Sequence, residues 1–361
     1  MFLNRKERLK IAKKINSKGS KNSFVNWKTR KNEFKQIKEK ELVEMLDARE
    51  KHASNNEHDQ DNAVSSHMDV ENQERSSSGS YSIHVALPGS ILNNAQSPEL
   101  RAYLAGQVAR TCCIFCVEEI IIFDDTARMT PGSMHIILVN EYLECPQYLR
   151  KTLFPLQKPL KFAGILNPLD GTHHLRSTNL DVPYREGVIL DKPIKEGRGS
   201  LCDVGLEKEL ELESEVLPPK TRVTVKITHI PQNAKRYRGT LISPSVIKSE
   251  AGIYWGYNVR LAKSLSDVFS KDYDVIIGTS ERGIPLKSAA LPKDGNRKIL
   301  IVFGGLDGIE SALEADEEIS TNDPNEFFPF YVNVAPDQGS RIIRTEEAIP
   351  ITLALVKALM D

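Results

Sequence analysis

The sequence predicts an α/β protein: a mostly parallel sheet flanked by helices, with a small β-barrel inserted into it. Strand-like and helix-like apolar patterns alternate from residue 81 to about 154. Between about Val182 and Ser264 the texture breaks into short strand runs. Buried-strand runs then return, and the last two end in loops rich in Gly, Pro, Asn and Asp. The alternation argues for a doubly wound sheet, and the short evenly spaced runs for a barrel.

The elements follow in order. SIHVALP reads as a strand, LRAYLAGQVARTCCIFC as an apolar-faced helix and EEIIIFDD as a second strand. MHIILVNEYLE and the chain to Phe154 continue the alternation. EGVIL, SLCDVG, TRVTVKI, YRGTLIS and IYWGYNVRLA are the expected barrel strands, and TRVTVKI alternates well enough to bury one face. YDVIIGTSERG, KILIVFGGLDGIE and FYVNVAPDQGSRIIRTEEAIP restore the strand-plus-loop pattern. The apolar ITLALVKALM should be a helix in the core or at a dimer interface, starting close to Pro350, which cannot donate inside a helix. The expected domains are therefore residues 1–80, an arm and linker; 81–181, the first part of the α/β domain; 182–264, the barrel; and 265–361, the second part.

Charge is unevenly distributed although the net formal charge is −1. Residues 1–40 carry 14 Lys/Arg against 3 Asp/Glu, and residues 41–80 carry 3 against 10. Such a basic arm suits non-specific phosphate binding or nuclear import, while a solvated helix or tail remains the plain alternative. Residues 51–80 hold almost no large apolar side chain and read as a polar linker. No apolar run approaches the roughly 20 residues that span a bilayer, and the N-terminus has no signal-peptide core. A soluble intracellular protein without a membrane partner is expected. Cys112, Cys113 and Cys116 lie in an apolar helix-like stretch with no second Cys/His pair at finger spacing, so no metal is expected.

The glycine loops carry the chemistry. Glycines let backbone approach a ligand closely, and loops at the ends of buried parallel strands are where such sheets bind cofactors. The sequence has no G-x-x-x-x-G-K-[ST] and no strand followed by G-x-G-x-x-G. GGLDGIE has no Lys for phosphates, and its Asp307 and Glu310 would repel them. A neutral or cationic adenosine compound fits better, and S-adenosylmethionine, with its positive sulfonium, is one.

GTSERG at residues 278–283, the Gly304-Gly305 loop and VNVAPDQGSRIIRTEEA together resemble the knotted SPOUT class of RNA methyltransferases. SIHVALPGSILNNAQSPELRAYLAGQVART, EYLECPQYLRKTLFP and FAGILNPLDGTHHLR resemble its archaeal and eukaryotic subfamily with an OB-like insertion, which includes a centromere-associated member. The resemblance covers roughly residues 80 to 361. It implies a C-terminal trefoil knot, a homodimer with active sites at its interface, and S-adenosylmethionine as cofactor. The implied substrate is RNA: ribosomal RNA first, at a uridine and at N3 in particular, with transfer RNA second. A nuclear, nucleolar location accompanies that substrate.

The resemblance puts the cofactor among Thr279, Gly304, Gly305, Asn333, Pro336, Gln338, Gly339, Ile343, Arg344 and Thr345. Arg110 (from its own or a partner subunit), Arg282 and Asn333 are the candidates for positioning the base and stabilising charge. For RNA contact, Lys235, Arg236 and Arg238 are too concentrated a charge to be buried. Trp255 and Arg260, with Tyr254 and Tyr257, read equally as an RNA face or as barrel core. His174 and Arg176 follow a Pro- and Gly-marked loop that either meets RNA or seals the insert against the main domain. Two other functions stay open: an RNA-binding module without catalysis, and a scaffold at chromosomes or spindles.

Overall fold

The computed structural model describes residues 81–126, 131–179, 182–194, 196–213, 215–229, 235–293 and 295–361. The basic arm and the polar linker lie outside the described residues. A six-stranded sheet is built from β1 (Tyr81–Pro88), β2 (Glu119–Phe123), β8 (Asn258–Ala262), β9 (Val275–Pro285), β10 (Arg297–Phe303) and β11 (Phe330–Asn333), in the order β11-β9-β10-β1-β2-β8. Every neighbouring pair is parallel. Parallel sheets need both faces covered, and β2 is buried at all five of its positions.

Side chains alternate between the two faces, as a pleated strand requires. Ile83, Val85, Leu87, Ile120, Ile122, Ile299 and Ile301 enter one core with α1 (Pro98–Ile114), α2 (Pro131–Glu144) and α8 (Thr345–Met360). Ala86, Ile121, Phe123, Leu300 and Val302 enter the other with Leu265, Ile309, Leu313 and Phe328. The helices of that face are short: α5 (Leu265–Val268), α6 (Glu310–Ala315) and α7 (Pro324–Phe327).

The chain leaves the sheet through α2 and α3 (Gln147–Leu153) and forms a closed five-stranded barrel. Its strands are β3 (Tyr184–Ile189), β4 (Leu201–Asp203), β5 (Leu210–Leu212), β6 (Arg222–His229) and β7 (Tyr237–Leu241). Sequence texture carried the barrel to residue 264, and the structure ends it at Leu241. After α4 (Pro244–Ala251) the chain rejoins the sheet, where NVRLA pairs with β2 as the edge strand β8. A short alternating run looks the same whether its partner is a barrel strand or a sheet strand. A second difference concerns α8, which begins at Thr345 and contains Pro350. Glu347 accepts from the Arg344 backbone N–H at 3.0 Å, and this cap starts the helix ahead of the proline.

The barrel is locked to the sheet domain by buried charge. Arg222 of β6 donates from Nε to Glu186 of β3 at 2.6 Å and from both Nη atoms to Glu144 at the end of α2. Glu144 also faces His173 Nε2 at 3.0 Å, and its backbone oxygen is 2.7 Å from His174 Nε2. Burial alone would raise the Glu144 carboxyl, but His173 and Arg222 outweigh it and hold the group down at about 2. A carboxyl so depressed contributes stability above its ordinary value of 4.5, and that contribution is lost as pH falls from there toward 2. Glu144→Ala should therefore cost about 3 kcal/mol at neutral pH, the scale of breaking a buried pair. The gap from the unsubstituted protein in urea unfolding should narrow as pH drops through that window; a gap independent of pH would remove the ion pair as its cause.

Candidate functional site

Parallel strands deliver their C-terminal ends to one edge of the sheet, and there β9, β10 and β11 each open into a glycine-bearing loop. The register of β11 on β9 jumps from Tyr331↔Gly278 to Val332↔Ile284, so the intervening TSERG segment leaves that ladder as a bulge. Gly283 allows the strands to close again behind it, since a Cβ there would lie 2.6 Å from Val332 N. In the second loop, a Cβ on Gly304 would lie 2.6 Å from Ile309 N, and Gly308 has φ +80. The third loop, from Asn333 to Thr345, is mostly exposed, and Gly339 has open space where a side chain would project.

Specific bonds join the three loops. Thr345 Oγ1 donates to Gly304 O at 2.9 Å, tying the first turn of α8 to the β10 loop. Asn333 Nδ2 donates to Glu281 O at 2.8 Å, and its Oδ1 accepts from Ala335 N at 2.9 Å. Glu310 Oε1 accepts from Arg282 Nη1 at 3.2 Å and from the Tyr331 hydroxyl at 3.3 Å. Burial chiefly, opposed by Ser280 and aided by Glu310, pushes the Tyr331 hydroxyl up to about 12, so it remains a protonated donor.

The β1 and β2 ends complete this edge. A Cβ on Gly305 would sit 3.1 Å from Ser90 Oγ and 3.3 Å from Asp125 Oδ2. Asp125 accepts from Ser90 through both backbone and hydroxyl, and burial raises its carboxyl.

The residues fit an adenosine-bearing cation. Close-packed backbone around Gly304 and Gly305 offers N–H and C=O groups of the kind that read an adenine edge. Asp125, Glu281, Asp307, Glu310 and Glu346 give the loops carboxylates, which disfavour a polyphosphate and suit a positive sulfonium. Glu346 Oε2, one residue past Thr345, is buried with no hydrogen-bond partner.

A family described as "Putative RNA methyltransferase" matches residues 82–356, which span both the sheet domain and the barrel. The chain belongs to this SPOUT-class family of RNA methyltransferases. Three relatives share the name 28S rRNA (uridine-N(3))-methyltransferase. The mouse protein is 49% identical over 77% of this chain and 76% of its own length. The human protein is 46% identical over 77% and 78% of the two chains. The Drosophila protein is 48% identical over 76% of this chain and 61% of its own.

Within this methyltransferase, Thr279, Gly304, Gly305, Asn333 and Thr345 gather at the C-terminal edge of the sheet with Arg282. Thr279 Oγ1 is spent on Val302 O at 3.1 Å, and Gln338 Nε2 on Ser340 O at 2.8 Å, so both shape the loops as they stand. Pro336, Gly339 and Arg344 are exposed on the third loop, and Ile343 is half-buried. Arg110 is elsewhere. It closes on the carbonyls of Pro168 and Leu169, near the opposite edge of its own sheet. Sequence reading missed Ser90, Asp125 and Tyr331, whose part in the site depends on which strand ends become neighbours.

The expected RNA contacts divide. Lys235 and Arg238 are exposed on the barrel, and Arg236 lies 3.7 Å from both Glu209 and Glu211. Two more of the expected contacts lie outside the barrel. Trp255 is 6% exposed and donates to Glu186 Oε1 at 2.8 Å, so it packs the junction between barrel and sheet. Arg260 lies on β8, with Nε 3.3 Å from Glu119 Oε1, and donates to Asp267 O at 3.1 Å and Val268 O at 2.9 Å. Both were placed by an expected barrel strand that instead joins the sheet or packs beneath it. His174 and Arg176 lie beside the junction, and burial followed by His173 drives His174 down to about 4, leaving it neutral near pH 7.

Two outcomes check this placement. Thr345→Val should destabilise the protein by about 1 kcal/mol in thermal unfolding, the worth of one hydrogen bond. It should lower affinity for S-adenosylmethionine more than the stability loss explains. Arg260→Ala should cost about 1–3 kcal/mol while gel-shift affinity for RNA stays where it was; a parallel fall in affinity in a still-folded variant would return Arg260 to the RNA face.

Proposed function

We propose that this protein transfers a methyl group from S-adenosylmethionine to N3 of a uridine in large-subunit ribosomal RNA. The observation that carries the reading is the convergence of the three glycine loops, rich in carboxylates, in a chain 46–49% identical to proteins named for that reaction. The cofactor, when bound, supplies an electrophilic methyl on a sulfonium. The protein's part is to hold that group and the uridine in line, which can supply a large share of the rate.

Gly304, Gly305, Thr345 and the Asn333–Thr345 loop would hold the adenosine, in the trefoil knot expected of this class. Arg282 and Asn333 would orient the base: Arg282 brings a positive charge that favours the N3 anion, and Glu310, already accepting from Arg282 and Tyr331, is a carboxylate suited to receiving the N3 proton. Arg110 would act from a partner subunit, because in its own chain it lies near the other edge of the sheet. A homodimer also accounts for the exposed apolar residues Leu100, Tyr103 and Ile114 on α1. A nuclear, nucleolar location agrees with the substrate and with the basic first 40 residues.

Calorimetric titration of the purified protein with S-adenosylmethionine should show micromolar binding, lost at least tenfold in an Asn333→Ala/Gly305→Val double variant that keeps its circular dichroism. With a large-subunit ribosomal RNA transcript, the modified uridine should stop reverse transcription, because N3 lies on the Watson–Crick edge. Read-through with full methyl incorporation would point to a ribose product instead. Arg282→Ala should lower kcat/KM by about 100- to 1000-fold, the range for removing a charge-stabilising donor, with cofactor affinity retained.

A further inference from the structure

A groove of about 1750 Å³ opens between α2, α3, the 154–177 segment and the barrel. Small-molecule pockets run to roughly 300–1,000 Å³, so its size favours a polymer. Arg150, Lys151, Lys158, Lys161 and Arg176 line it against one carboxylate, Asp170. Lys151, Lys158, Lys161 and Arg176 are exposed, and no described carboxylate lies within ion-pair distance of them. Arg150 is fixed in place, donating to Cys145 O at 2.8 Å and Leu143 O at 2.9 Å with its guanidinium over Tyr142.

Several of the barrel's basic residues are compensated by contrast, while Lys220, Lys235 and Arg238 stay exposed. Glu209 faces both Lys192 and Arg236, and Glu211 faces both Arg198 and Arg236. Four cations without a carboxylate at ion-pair distance are thus gathered in the groove, next to the partly buried rings of Tyr142 and Phe154.

We infer that this groove is an RNA-docking surface, holding the phosphate backbone of a segment that flanks the reacting nucleotide. The inference rests on the methyltransferase reading above and assigns that substrate's second point of contact. Its position explains why the segment must be a flanking one. The start of α2 meets Gly89, just past the C-terminal end of β1, while its end meets Gly256, just before β8 begins. The 14 residues of α2 therefore separate the groove from the cofactor loops by about 20 Å within one chain. Lysines at this distance supply affinity and register, and their contacts weaken with salt.

The test is a Lys151→Glu/Lys158→Glu/Lys161→Glu variant of the full chain, beside a Lys→Arg triple and a Lys235→Glu/Arg238→Glu barrel variant. The probe is a large-subunit ribosomal RNA fragment spanning the modified site. Affinity for that fragment should fall at least tenfold in the groove Glu variant and survive in the Arg triple. The slope of log affinity on log salt should drop by about 2, from three lost contacts at about 0.7 each on single-stranded RNA. Binding of S-adenosylmethionine should be unchanged, and methylation should show a raised KM for RNA. Unchanged RNA affinity and salt slope in the groove Glu variant overturn the inference while leaving the methyltransferase reading intact. So does a loss confined to the barrel variant. An unsubstituted protein that binds cofactor but no RNA also overturns it, whereas one that binds neither removes the reading on which it rests.

Discussion

Parallel pairing forces each crossover to return the chain from the C-terminal edge of the sheet to the N-terminal edge before another strand can start. All six strands here obey it, and the molecule acquires two chemically distinct ends. The C-terminal edge collects the loops after β1, β2, β9, β10 and β11, with their glycines, their carboxylates and the bond from Thr345 to Gly304. The opposite edge receives the end of α2, where the chain departs into the barrel, and the turn at Gly256, where it comes back. On the reading proposed above, cofactor chemistry and RNA handling are separated by that directionality.

The barrel could swing freely from such a connection, and the Glu144–Arg222–Glu186 cluster prevents it. Arg222 is shared between a carboxylate of the sheet domain and one of the barrel, while Trp255, from the returning chain, binds the same Glu186. Buried charge is a costly way to join two bodies, because each ion gives up its water. It is also directional: the partners fit in one arrangement, whereas an apolar seam of equal area could slide. A fixed barrel keeps the basic groove at a constant distance from the cofactor edge, which a two-point grip on RNA requires.

Much of the architecture was legible in the sequence because its signals are local. EIIIF, KILIVF and YDVIIG are too apolar to lie anywhere except inside a covered sheet, and GTSERG and GGLDGIE mark backbone that a side chain would obstruct. The family pattern held because several such motifs occur in order over residues 82–356. Trp255 and Arg260 were not legible in this way. An aromatic and a cation in IYWGYNVRLA have the same composition on an RNA face as in a junction, and only Glu186 and Glu119, far off in sequence, tie them to the junction and to the sheet's edge strand.

The sequence by itself determined the glycine loops, the inserted barrel and most of the strands, since each follows from periodicity or backbone freedom within a few residues, and its motifs carried the family resemblance that implies the cofactor. Tertiary structure decided which strand ends adjoin, and so that Ser90 and Asp125 border Gly305. It decided that Arg110 faces away from its own chain's loops, and that Lys151, Lys158 and Lys161 line one groove without a carboxylate at ion-pair distance while Lys192 and Arg236 of the barrel meet Glu209. These are facts of pairing between distant segments. Pairing is set by how the whole core closes, and no window of sequence contains it.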